Sequence, residues 1–467
     1  MLRVLLMKPY SEADELIPPF GLGYLATAIR AKHEVKILDG VKEKLTLVKF
    51  KKILEREKFD VIGIQIFTFH LNAAKGYVRL IKEASPETKI VLGGPHPSCD
   101  PENIFSYFPE IDWAFRGEAE IGLARLLDLM SEEKEISRPA LLTVPGLIWR
   151  DENQKTIVNS PLFAEDLDSL GYPSWDLLRP DNYPLAPHGA FFKNYPIAPI
   201  IITRGCPFSC TYCAGPLVSG RKIRKRSVGL VIEEIKDLYH NYGIREIHIE
   251  DDNFTMDRNL VLEFCQKLEE NKLDITWTCP NGVRLDTLDK ELILAMKNSG
   301  LYSISVGIES GSEKILRDMR KGLGKEKIKE KINLLREAGL EVSGFFILGY
   351  PTETKEDILA TIAFAKELGI KRAGFSAFKP FPGTEITKYL AERGELDKDK
   401  EDWDKYVLAQ VVYAPPGISK NELKNLRRRA LREFYFRPKI AFGFISEIKN
   451  FKHLTLVAKR SYRWFFK

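Results

Sequence analysis

Cysteine is scarce in this chain. There are six in 467 residues, too few for a disulfide framework in so long a sequence, so a reducing, cytoplasmic setting is expected. Long apolar runs are missing as well: nothing approaches the roughly 18 consecutive apolar residues of a membrane-spanning helix, and the apolar stretch of MLRVLLMKPY is too short for a secretory signal. No GxGxxG follows the first strand-like segment, which speaks against a dinucleotide, and no short-period repeat points to a solenoid. Charge of one sign is lacking overall, since 71 Lys+Arg against 65 Asp+Glu leave +6. Hydrophobic residues at 44% and charged residues at 29% exclude disorder as the main plan and supply cores for about two to four domains.

What is there is α/β alternation. Over residues 1–135 the segments RVLLMKP, VKILDG, DVIGIQIF, KIVLGG and DWAFRG read as strands separated by amphipathic helices. This is a Rossmann-like sheet with a ligand crevice along its carboxyl edge. Residues 136–194 read as a linker with a β-hairpin, PGLIWRDENQKTIVNSPL. From 195 to 395 six strands recur: PIIITRG, REIHIEDD, DITWTCPNG, YSISVGIES, VSGFFILGYP and RAGFSAFKP. Six β/α units fall short of the eight of a closed barrel, so a partial (β/α)6 barrel is expected. Residues 396–467 form a mostly helical extension, and the positive charge is concentrated there. Residues 421–467 hold 13 Lys/Arg against 3 Asp/Glu, with ten aromatics, leaving −4 for residues 1–420.

The strongest chemical signal is RGCPFSCTYC, which places Cys206, Cys210 and Cys213 in one loop after the first barrel strand. Three thiolates suit three irons of a cubane cluster and leave the fourth iron open to a small molecule. A structural zinc site would want a fourth protein ligand, and none stands at finger spacing. On this motif, with Tyr212 before the last cysteine, the chain resembles the radical S-adenosylmethionine superfamily. The resemblance implies a 4Fe–4S cluster whose open iron chelates S-adenosylmethionine, and reductive cleavage to a 5′-deoxyadenosyl radical. It also implies roles for Glu250, Asp251 and Asp252 in IEDDNF toward the methionine ammonium, and for Glu309 and Ser310 in GIESGS toward the ribose. Gly349, Pro351 and Thr352 in FFILGYPTET would approach the adenine, and Arg224 and Arg226 in KIRKRS the carboxylate.

A Rossmann-like sheet before such a barrel resembles the cobalamin-binding subgroup of that superfamily. The shared pattern runs through IPPFGLGYLATAIR with Gly21 and Gly23, VKILDG with Asp39 and Gly40, and IQIFTFH with Thr68. It continues in VLGGPHPSCDPE with Gly93, Gly94 and His96, and in FRGEAE with Gly117 and Glu118. Glycines would let backbone approach the corrin, and Thr68 and His96 would bond its amides. The DxHxxG motif that supplies a lower cobalt ligand is not met, because Val41 occupies its histidine position and Lys44 its glycine. His70 and His96 could ligate cobalt, but an isolated histidine is more often hydrogen-bonded structure. Cys99, Cys265 and Cys279 read first as buried small hydrophobes. Cys279 and Asn281 could instead line a substrate cavity, and Arg284 could meet an anionic group.

The resemblance implies a cobalamin-dependent enzyme that methylates an unactivated carbon, its electron supplied by a flavodoxin or ferredoxin. Oxidative cyclisation or ring rearrangement with the same cofactors is the alternative, and a non-catalytic cobalamin or iron–sulfur sensor is the alternative of another class. The substrate would be a small molecule or lipid-like. For the basic tail, three readings stand: peripheral contact with an anionic membrane, aromatics packed under the barrel, and nucleic-acid binding. The last is not expected, because methylthiolating tRNA enzymes of the superfamily carry three further cysteines in a different N-terminal domain.

Overall fold

The computed structural model describes the chain except residues 13, 15, 134, 186–190, 398–400, 408–409 and 467. Short apolar runs bounded by Gly, Pro or Asp become buried strands, as continuous hydrophobic segments must when a parallel sheet is covered on both faces. The first sheet contains β1 (Arg3–Lys8), β2 (Glu34–Asp39), β3 (Val61–Gln65), β4 (Lys89–Gly93), β5 (Trp113–Phe115), β6 (Leu147–Arg150) and β7 (Thr156–Val158), in the order β2-β1-β3-β4-β5-β6-β7. Its first five strands are parallel; β6 adds antiparallel to β5, and β7 antiparallel to β6. The hairpin assigned to the linker therefore belongs to the first sheet. Leu147, Ile148 and Trp149 are buried in it, and the Trp149 indole donates to Asn159 at 3.2 Å.

After β8 (Ile197–Ile200) comes a two-residue ribbon, β9 (Thr203–Arg204) with β10 (Arg224–Lys225), which encloses the cysteine loop. Then follow β11 (Glu246–Ile249), β12 (Thr276–Val283), β13 (Leu301–Glu309), β14 (Glu341–Leu348) and β15 (Arg372–Ala377). The second sheet is parallel throughout, ordered β15-β14-β13-β12-β11-β8. This is the expected six-stranded partial barrel. Its first strand is shorter than PIIITRG because the Asp251 carboxylate captures the next amides, accepting from Ile202 N at 2.8 Å and Thr203 N at 2.7 Å.

The tail is not one appendage. Helix Lys420–Tyr435 is N-capped by Ser419 and lays Leu423, Leu426, Leu431 and Phe434 into the barrel core. Upstream, Trp403, Tyr406, Val412 and Tyr413 share an apolar cluster with Leu5 and Ile62 of the first sheet and with Ile315, Tyr350 and Phe378 of the barrel. One apolar core thus spans both units. Lys379, at the end of β15, ties this strap down by donating to Gln410 O at 2.6 Å, and burial beside Arg427 lowers its amine to about 7. The side chains of Phe444, Tyr462, Trp464, Phe465 and Phe466 lie outside the described residues.

Candidate active site

The carboxyl ends of the two sheets face each other. Gly383, beyond β15, approaches so closely that a Cβ there would stand 2.5 Å from Cys99 O, beyond β4, and 2.8 Å from Leu217, beyond the cysteine loop. Two ion pairs bridge the same seam. Arg224 holds Glu118 at 2.6 Å, and Arg204 holds Glu120 at 2.8 Å while lying 4.6 Å over the Tyr24 ring.

Cys206, Cys210 and Cys213 share the loop in this seam, none in a disulfide, and the half-buried Cys206 thiol is raised by burial, with Asp252 and Cys210 adding to the rise. Gly215 N donates to Cys213 Sγ at 3.4 Å, a contact that stabilises a thiolate, and a Cβ at Gly215 would sit 3.4 Å from that sulfur. Three cysteines in one loop, with a backbone donor at one sulfur, are the donor set that an iron–sulfur cluster takes. The loop is clamped from below: the Arg284 guanidinium lies 3.5 Å over the Phe208 ring, and donates to Lys321 O at 2.7 Å and to Asp286 at 2.9 Å. Arg284 is thereby engaged in holding the loop and does not reach into the cavity for an anion.

Around the loop the strand ends divide by side-chain parity. Glu250 stands two residues beyond the cavity-lining His248, and a Cβ at Gly307, on the face of Ser303 and Ser305, would lie 2.5 Å from the Glu309 carboxylate. Glu309, at φ +67°, is held by Lys321 at 2.8 Å and by the Tyr212 hydroxyl. A non-glycine residue in that backbone region is strained, and such strain persists only where neighbours enforce it. Lys321 escaped the sequence reading, since nothing local marks a lysine twelve residues on as a partner. Asp252 accepts from Ser219 and, at 3.4 Å, from Gly205 N, so it supports the cysteine loop.

Several expected ligands are occupied elsewhere. Asp251 is buried under β8, its carboxyl pushed up to about 7 by burial against the pull of Ile202 N, Thr203 N and the Thr203 hydroxyl. Arg226 is 1% exposed and pairs with Glu234 at 2.5 Å beneath the sheet. Arg224 is committed to Glu118, which removes both arginines from the expected carboxylate. Ser310 is fully buried and bonds Thr361 and Ser312 N at 3.1 Å each, starting a helix. Gly349 N donates to Glu353, and Leu423 of the tail helix would lie 2.4 Å from a Cβ there. Thr352 is exposed and donates to Asp318. Cys279 turns away from the cavity into the helix-packed core, 2% exposed, whereas Asn281 does line the cavity.

On the first sheet's edge, Gly21 and Gly93 remain open: a Cβ at Gly93 would meet nothing within 4 Å, and one at Gly21 only the Gln65 amide at 3.5 Å. Gly94, at φ +103°, turns the chain against Ile66. This glycine-lined strand edge fits the face of a large ring. The other expected contacts are structural. Gly23 packs on Pro173 and Leu178, Gly40 on Lys8 O, and Gly117 on Pro161 and Phe163. Asp39 caps a helical turn and accepts from the Tyr183 hydroxyl at 2.7 Å, while Glu118 serves the seam. Thr68 and His96 Nδ1 bond each other at 3.2 Å, buried beside Trp403 of the strap. His70 takes Phe67 N on Nδ1 at 3.3 Å and meets Asp14 with Nε2 at 2.9 Å, so both ring nitrogens are committed and it offers cobalt no lone pair.

Comparison with known proteins agrees with this geometry. A model of the radical SAM superfamily matches residues 200–365, and one of the B12 binding domain matches residues 11–127. An uncharacterized methyltransferase of Pyrococcus horikoshii is 33% identical over 99% of this chain and 98% of its own. The chain belongs to the cobalamin-binding radical S-adenosylmethionine enzymes. The anaerobic magnesium-protoporphyrin IX monomethyl ester cyclase of Cereibacter sphaeroides is a more distant relative, 26% identical over 90% of this chain and 67% of that one. Among solved structures, the cobalamin-dependent S-adenosylmethionine radical enzyme OxsB, bound to aqua-cobalamin and S-adenosylmethionine, shares the fold at a TM-score of 0.76 and 17% identity, over 99% of this chain and 71% of that one. The cofactors of this enzyme are accordingly a 4Fe–4S cluster, S-adenosylmethionine and cobalamin.

Proposed function

We propose that this enzyme methylates an unactivated carbon of a small molecule. The observation that carries the reading is the seam: the glycine edge of the first sheet opposes the cysteine loop and the inward carboxylates of the barrel. Together the cofactors supply a carbon-centred radical to abstract hydrogen and a methyl group to replace it. Cys206, Cys210 and Cys213 hold the cluster. Glu250 and the Tyr212–Glu309–Lys321 array bind and orient the polar parts of S-adenosylmethionine. Gly21, Gly93 and Gly94 receive the corrin, and the strap with Trp403 excludes water from its edge. An electron donor of the flavodoxin or ferredoxin type reduces the cluster.

Methylation needs one equivalent of S-adenosylmethionine for the radical and a second for the methyl group. Anaerobic turnover with methyl-deuterated S-adenosylmethionine and a cell extract should therefore give 5′-deoxyadenosine and S-adenosylhomocysteine in comparable amounts, and one extract component should gain the label. Cyclisation, the chemistry named for the Cereibacter relative, would give 5′-deoxyadenosine without S-adenosylhomocysteine. A sensor would give neither.

Phe436, Phe442 and Phe451 are 70%, 73% and 81% exposed within the basic tail, which supports peripheral contact with an anionic membrane. Among the described residues no helix is long and apolar enough to cross one. Each basic residue near such a surface contributes about 1 kcal/mol. The enzyme should co-sediment with anionic but not neutral vesicles, and attraction should weaken as the Debye length falls from about 10 Å at 0.1 M salt to about 3 Å at 1 M. The pair Phe442→Ser and Phe451→Ser should remove the salt-resistant part. Deleting the tail from residue 420 is not a usable control, because it strips Leu423, Leu431 and Phe434 from the barrel core. Equal salt-resistant binding by the Ser pair would remove the aromatics from the contact, and no binding to anionic vesicles would remove the membrane from the picture.

A further inference from the structure

A complete barrel of this kind is filled by layers of Val, Ile and Leu. Here the inward positions are small and polar. Thr278 of β12, Ser303 and Ser305 of β13, Ser343 of β14 and Ser376 of β15 line a cavity of about 980 Å³, together with His248 of β11. That is the upper range of ligand pockets, roughly 300–1,000 Å³. Its polarity is built: Glu246 takes the His248 imidazole at 3.0 Å and the Tyr302 hydroxyl at 2.8 Å, while its other oxygen accepts Lys193 N and Asn194 N at 2.8 and 2.6 Å. Phe345 of β14 is 37% exposed on this wall. Gly282, at φ +97°, makes room for it, since a Cβ there would stand 3.3 Å from the ring.

The cavity occupies the amino-terminal part of the lumen and rises to Ser305 of β13, Phe345 of β14, Ser376 of β15 and Asn281 of β12. At its upper end is Asn281, whose amide donates to Glu250 O at 2.9 Å, next to the carboxylates of the candidate site. At its lower end are Lys297, Gly300 and Gly339, which immediately precede β13 and β14, with Phe192, Ile448 and Lys449. The lower rim is a distinct structure. Arg372 pairs with Glu447 of the tail and lies 4.5 Å over the Phe191 ring, and the Lys449 amine lies 4.4 Å over Phe192. Above, the first sheet, the strap and the seam of ion pairs cover the barrel's carboxyl end.

We propose that the substrate is an elongated molecule rich in hydroxyl or amide groups, which reaches the radical site from below, past the lower rim that carries Ile448 and the Phe192–Lys449 contact. Its reacting carbon comes to lie beneath Glu250 and Glu309, and its polar body is read by the serine and threonine wall. This rests on the reading of the barrel's upper end as the radical site.

The test uses the reconstituted holoenzyme carrying Ser343→Cys or Ser376→Cys, treated anaerobically with N-ethylmaleimide and mapped by mass spectrometry. Both positions should be modified at similar rates with and without saturating S-adenosylmethionine and cobalamin. Adding Ile448→Trp at the rim should slow them about tenfold, because thiol reactivity follows access. Unmodified Cys279, packed on the far side of β12, reports that the fold is intact. A water-soluble cell extract should protect the introduced cysteine, and a lipid extract should not. Labelling that disappears with the cofactors bound and ignores Ile448→Trp would place the way in above, and overturn the proposal. Protection by the lipid extract alone, or by neither, would overturn the polar substrate class. The readout needs no turnover, so it stands or falls separately from the methylation assay.

Discussion

Replacing Cys206, Cys210 and Cys213 together by alanine should abolish the cluster: anaerobic reconstitution that gives about four irons per chain in the parent should give none in the variant. Formation of 5′-deoxyadenosine should fall below detection, because the electron that cleaves S-adenosylmethionine enters only through the cluster. The protein itself should stay folded, since none of the three cysteines belongs to the apolar cores. Retained iron would require Cys99, Cys265 and Cys279 as ligands. The structure argues strongly against that: Cys265 and Cys279 are 1% and 2% exposed among barrel helices, and Cys99 lies across the seam with its thiol raised to about 12 by burial. Iron analysis, visible absorbance and product quantification each read the outcome.

The largest expected loss of stability comes from Glu234→Ala. Glu234 is fully buried, and its carboxylate holds the Arg226 guanidinium at 2.5 Å and the Trp175 indole at 2.9 Å. Removing it strands a cation in a site 1% exposed. Breaking such a pair costs about 3–5 kcal/mol, a large share of the roughly 5–15 kcal/mol that holds an ordinary domain together. The apparent urea midpoint of the barrel should drop accordingly. The double variant Arg226→Met with Glu234→Leu should recover most of the loss, since replacing both partners leaves no uncompensated charge. It also decides between two roles for Arg226. As a structural group its loss leaves S-adenosylmethionine affinity unchanged, whereas the carboxylate partner expected from KIRKRS would take affinity with it.

The contrast between Arg226 and Glu309 shows how far sequence reading reached into the site. Both stand at strand ends in polar motifs, and both were assigned to the same ligand. Glu309 lies on the face of Ser303 and Ser305, since a Cβ at Gly307 would stand 2.5 Å from its carboxylate, although the ladder is irregular between Gly307 and Glu309 and simple alternation does not carry across it. Arg226 returns from the cysteine loop to lie under the sheet, and its partner Glu234 is set by helix packing. Thr68 and His96 find each other for a similar reason: they lie 28 positions apart and bond at 3.2 Å, a pairing that the local sequence does not announce. The polar lumen was legible in principle, as serines at matching parity on β13, β14 and β15, but it acquires meaning only once those strands stand side by side.

The sequence by itself determined the two sheets, their order along the chain and the identity of the cysteine loop. These rest on local facts, namely hydrophobic period, glycine and proline punctuation, and the spacing of three thiols. Only the tertiary structure decided which charged residues serve the site and which close the seam, that the hairpin joins the first sheet, and that the tail helix completes the barrel wall. Those outcomes depend on pairings between residues tens to hundreds of positions apart. A buried charge must find its partner wherever packing places it, and the order of residues along the chain does not encode that choice locally.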